Sequence, residues 1–145
     1  MTYEEAMRLH KEIKRKYPTL ILSGSLVLIH KKLLPFRDIK DLDYCIRENA
    51  MSVGDLPEGC VELVSEESED YDYVPGVDGH VFHYLFEGKK IPINIFRNHY
   101  IKHSDKKVSS VLGSYLRAET IMEYKISHGR DKDYKDLQQI KENEL

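Results

Sequence analysis

Two aspartates separated by a single residue, Asp41 and Asp43, are the positions of this 145-residue chain whose types and spacing first suggest chemistry. On an extended strand alternate side chains leave one face, ~6.5 to 7 Å apart along the chain. Carboxylates so placed can pincer a hard cation. Mg²⁺ in particular takes one or two carboxylates and completes its shell with substrate phosphates. The same Asp-x-Asp spacing also occurs on plain surface strands. Upstream, Gly24 and Ser25 stand between the apolar run Leu20-Ile21-Leu22 and the apolar stretch Leu26 to Leu34. A glycine at such a turn lets a phosphate approach backbone N–H groups, and the serine hydroxyl adds a donor. Its structural alternative is a small-residue turn with Ser25 as an N-cap.

These residues need elements to hold them. Thr2 and Glu5 form a capping-box pattern, and Ala6, Leu9, Ile13 and Tyr17 recur at helical spacing, which predicts a helix over 3–17 that Pro18 ends. Leu20 to Leu22 reads as a short buried strand, and Leu26 to Leu34 as a short helix stopped by Pro35. Asp41 to Ile46 alternates as a strand with one buried face; Cys45 shares the face of the two aspartates and reads as a small core residue. Residues 47–79 are rich in Gly, Ser, Glu and Asp and read as mostly irregular, with Val61 to Val64 as a possible strand. His80 to Phe86 and Lys90 to Phe96 predict an antiparallel hairpin, in which Pro92 calls for an edge or a bulge. From Arg117 the period turns helical; Gly129 caps that helix, and a second runs from Asp131 to about Glu144. The whole predicts one α+β domain over residues 1–145, a mixed sheet flanked by helices with a helical pair at the C-terminus.

The order Leu22-Ser23-Gly24-Ser25, helix, then Asp41-Leu42-Asp43 on the next strand resembles the signature of the nucleotidyltransferase superfamily with the DNA polymerase β-like fold. Residues 123–137 resemble the two-helix ending of its small bacterial branches, the antibiotic and the toxin or antitoxin nucleotidyltransferases. The resemblance implies a nucleoside monophosphate transferred from a nucleoside triphosphate to an acceptor, with Mg²⁺ as cofactor. It implies Asp41 and Asp43 as metal ligands, and Gly24 and Ser25 as the phosphate turn. Lys125 and Arg130 match cations that the family directs to the triphosphate or to the aspartate strand, and such cations suit a reaction that depends on positioning and charge neutralisation. Simple exposure on the helix surface is the alternative for Lys125.

The third carboxylate of the family falls on Asn94. An amide takes no proton at neutral pH and is a poorer Mg²⁺ ligand than a carboxylate. If Gly88 and Lys89 form the hairpin turn, His83 lies opposite Asn94 and offers a substitute base; a strand histidine with no role is the alternative, and His80 competes for the position. The interval from Gly24 to Asp41 is longer than the family usually shows, so Pro35, Phe36 and Arg37 are expected to form an added loop near the site. Asp133 and Asp136 read as ion-pair or capping residues. Because Asn94 stands where the acid is expected, a catalytically impaired member that binds nucleotide or a protein partner is the alternative function.

Composition bounds both readings. A net charge of -3 and a pI near 6.2 argue against a basic nucleic-acid clamp. The charge is uneven: residues 48–88 carry 11 acidic side chains and no Lys or Arg, so the acidic middle can receive a cationic acceptor or simply face solvent. No apolar run approaches the ~20 residues of a membrane helix, and the first residues lack a signal-peptide pattern. The two cysteines, Cys45 and Cys60, make no disulfide framework, so a reducing cytoplasm is expected.

Overall fold

The computed structural model describes residues 1–47, 61–63, 77–98 and 102–144. The first helix, α1 (Tyr3–Lys16), starts where the side chains of Thr2 and Glu5 cap each other's backbone N–H. It buries Ala6, Leu9, His10 and Ile13. Next come β1 (Ile21–Ser23), buried throughout, and α2 (Ser25–His30), entered through Gly24. Helix α2 is shorter than the sequence predicts: the chain leaves it at His30 and Lys32 adopts a left-handed φ of 62°, so the break precedes Pro35. The acid-bearing strand is β2 (Leu42–Arg47), with Asp41 immediately before it.

Beyond it lie β3 (Val61–Leu63), β4 (Val77–Phe86), β5 (Lys89–Asn98), β6 (Lys106–Ser109) and β7 (Gly113–Leu116). Two helices, α3 (Ala118–His128) and α4 (Asp131–Glu144), end the chain, divided by Gly129 at φ 64° as the cap of α3. The irregular reading of 47–79 falls largely outside the described residues, as do Cys60, Val64 and most of the acidic middle. Among the described residues no helix is long and apolar enough to cross a membrane.

The strands form one mixed sheet in the order β3-β4-β5-β2-β1-β7-β6. Strand β2 lies antiparallel to β1 and parallel to β5, and β1 is parallel to β7. Two corrections to the hairpin follow. Its turn is Glu87-Gly88, both at positive φ (50° and 80°), which sets Phe86 against Lys89. The register therefore slips by one residue, so His83 faces Pro92 while Val81 faces Asn94. Pro92 is also not on an edge strand; pairing of β5 with β2 begins only at Ile93, so β5 is locally open beside the proline. The β6–β7 hairpin had no clear alternation in the sequence.

One sheet face carries Leu22, Tyr44, Ile93 and Ile95, all fully buried. Helix α1 covers it. There His10 donates from Nε2 to the Leu112 carbonyl at 2.7 Å, leaving Nδ1 to accept from the Tyr44 hydroxyl at 2.8 Å. One buried side chain thus ties helix, central strand and the β6–β7 turn together. The other face looks toward α3 and α4, and it holds the site.

Candidate functional site

Register alone assembles the floor. Ser23 of β1 pairs with Asp43 of β2, and Asp43 pairs with Asn94 of β5, so the three occupy one row across three adjacent strands. Paired residues share a face, and strands lie ~4.8 Å apart, so short polar side chains in such a row meet. Asn94 donates from Nδ2 to Asp43 Oδ1 at 3.0 Å and to Asp41 Oδ2 at 3.1 Å. Both carboxylates thus converge on one point. Gly24 is needed beside them: its φ is 72°, and a Cβ there would run into the Asp43 carboxylate. The glycine turn and the acid are packed against each other.

A cavity of about 580 Å³ opens over this row. Gly24, Ser25, Asp41, Asp43, Asn94, Lys125 and Arg130 all line it, so the residues proposed from sequence for metal and phosphate come together in one place. His83 does not line it, and the base expected opposite Asn94 is not there; His80 pairs with Ile95, one residue out of step with Asn94, and is not among the lining residues either. The added loop does reach the site, through Arg37. Apolar side chains, Val81, Phe96, Ile121 and Tyr124, complete the walls, and His128 stands at α3's end of the cavity.

The cations over the cavity are held by α4. Lys125 lies 3.0 Å from Asp136 and 3.7 Å from Asp133, and Arg130 binds Asp133 at 2.7 Å. Asp133 and Asp136, buried at 1% and 6% exposure, are ion-pair residues as the sequence suggested. Their carboxyls stay below the usual range because the guanidinium and ammonium groups beside them outweigh burial. Lys125 is neither a free surface lysine nor wholly open to a ligand, because α4 engages it. Arg37 is a cavity-lining cation that the sequence left without a role. A basic residue inside the interval between turn and acids was the only signal for it.

Asp43 behaves oppositely. Burial, and then the charge on Asp41, push its carboxyl up to about 6, against a partial offset from Asn94, Lys125 and Arg130. A buried carboxylate beside a second, exposed one, meeting at one point in a cavity, is an arrangement that marks candidate cation-binding sites. Among the described residues no group of three or more His, Cys, Asp or Glu side chains could hold a metal, in keeping with an amide at the third position. Two carboxylates with the Asn94 amide still fit the partial shell that Mg²⁺ takes when phosphates supply the rest, since which amide atom faces the acids is exchangeable by a half-turn of the side chain. Cys45, also lining the cavity, has its thiol pushed up to about 12 by burial, which keeps it protonated and unreactive.

Comparisons with protein-family models, with curated proteins and with solved structures give no significant match.

Proposed function

We propose that this α+β protein is nucleotidyltransferase-like: it binds a nucleoside triphosphate with Mg²⁺ and transfers the nucleoside monophosphate to an acceptor. The observation that carries the reading is the convergence of Asp41 and Asp43 on one point at 3.1 and 3.0 Å from the Asn94 amide, beside the Gly24-Ser25 turn and beneath basic side chains. Asp41 and Asp43 hold the metal, with Asn94 as a neutral third group. Mg²⁺, when bound, offsets the charge of the triphosphate and of the departing pyrophosphate. Gly24 and Ser25 receive phosphate oxygens, while Lys125 and Arg130 add positive charge from α3 and the segment after it. In the transfer an acceptor oxygen bonds to the α-phosphorus as the bond to pyrophosphate breaks and the acceptor's proton passes to solvent, and the chain's task is to align the two oxygens and compensate charge.

A second reading, a nucleotide-binding or interaction protein without transfer, is favoured by Asn94 itself. That amide cannot take the acceptor's proton, and the corrected register removes His83 from its side. The purified chain with Mg²⁺ and α-labelled triphosphates, offered RNA, protein and small-molecule acceptors, separates the two. Label transfer that Asp43→Ala abolishes supports the enzyme. Metal-dependent triphosphate binding without transfer supports the binding protein, and binding of neither metal nor nucleotide rejects both.

A further inference from the structure

Arg37 belongs to the loop between α2 and β2, yet its guanidinium reaches two distant elements. It forks onto Asp136 of α4, with Nη1 at 2.7 Å from Oδ1 and Nη2 at 3.0 Å from Oδ2. Nη2 also donates to Ser25 Oγ at 2.9 Å. Among the described residues these bonds leave the Nε–H and the second Nη1–H uncommitted, and the side chain keeps 37% of its surface open. Ser25 accepts in this contact, so its own hydroxyl proton is available to donate. Donation from a cation to the serine oxygen makes that hydroxyl the stronger donor toward an anion.

Arg37 and Lys125 share Asp136, and Arg130 binds Asp133. Because Asp136 is buried and shared with Lys125, the fork is set before any ligand arrives.

We infer that Arg37 is a further phosphate-binding residue, which engages phosphate oxygens with its remaining donors and positions the Ser25 hydroxyl for the same group. The inference rests on the proposed nucleotide site and adds to it a cation that the Gly-Ser turn lacks locally. It also makes α4, through Asp136, a support for the phosphate turn.

Magnesium tripolyphosphate, which presents triphosphate oxygens without a base, is the probe, titrated calorimetrically into the full chain. Wild type binds. Arg37→Ala weakens binding tenfold or more, and Arg37→Lys recovers only part, since an ammonium keeps the charge without the fork. In a Ser25→Ala background Arg37→Ala costs measurably less than in wild type, which a role confined to folding does not produce. Thermal melts establish that each variant is folded; should Arg37→Ala fail to fold, Arg37→Gln carries the same expectation. Equal binding by wild type and Arg37→Ala overturns this inference and leaves the nucleotide site standing. Absence of binding by wild type overturns both.

Discussion

Burial and the neighbouring Asp41 hold the Asp43 carboxyl at about 6 instead of 3.8, so at neutral pH the folded chain carries a charge that costs it stability. Between those two values the native state binds more protons than the unfolded chain, so this group makes stability fall as pH rises through the interval and stay lowered above it. Asp43→Asn is therefore expected to melt at higher temperature than wild type at pH 8, by the equivalent of about 1 to 3 kcal/mol, with the advantage vanishing near pH 4. The same variant is expected to lose divalent-cation binding in a Mn²⁺ titration. Wild type should bind Mn²⁺ more weakly as pH falls through about 6, where Asp43 takes up its proton. Equal melting of the two proteins at pH 8 would contradict the assignment of Asp43 as a carboxylate ionised at the expense of burial.

At the scale of elements, two turn glycines both take a positive φ but differ in neighbourhood. Gly24 at φ 72° lies against Asp43, whereas Gly88 at φ 80° has open space where a Cβ would stand. Gly88→Ala should cost only the left-handed backbone penalty, about 1 kcal/mol in urea unfolding. Gly24→Ala adds a collision with the carboxylate and should cost clearly more, ~2 kcal/mol or above, and disturb metal binding with it. Similar costs at both sites would refute the close packing of turn on strand. The contrast also marks what sequence could convey. The turn, the two-residue period of the acids, the capping box of α1 and the Gly129 stop are local patterns, and each was readable from its own few residues. The hairpin was readable in kind but off by one in register, because Glu87 takes a left-handed φ of 50° that its residue type does not favour. That single step moved His83 away from Asn94. The β6–β7 pair leaves no strand signal in the sequence because Lys106-Lys107-Val108-Ser109 lies at the sheet's edge with Val108 71% exposed, so nothing alternates with burial.

Across the whole molecule, Asp43 of the site and His10 of the core respond to acid in opposite senses. Burial lowers His10 below the usual histidine value, outweighing its bond to the Leu112 carbonyl. Its unfolded form therefore takes up a proton first, and stability falls as pH drops below ~6.5, the reverse of Asp43's contribution. On acidification below about pH 6.5 the two contributions oppose each other, so Asp43→Asn should lose more stability than wild type in chemical denaturation. A profile unchanged by the substitution would show that the two groups do not oppose each other. Fold class was legible at this scale because strand and helix patterns alternate along the chain. The cationic side of the cavity was not, since its parts meet only through tertiary packing.

The Arg37 to Asp136 contact joins residues 99 positions apart. On the ribosome the emerging chain exposes its acidic pair and serine turn long before the last helix can be threaded into place. The loop that carries Arg37 therefore waits for its anchor until α4 has been made and packed.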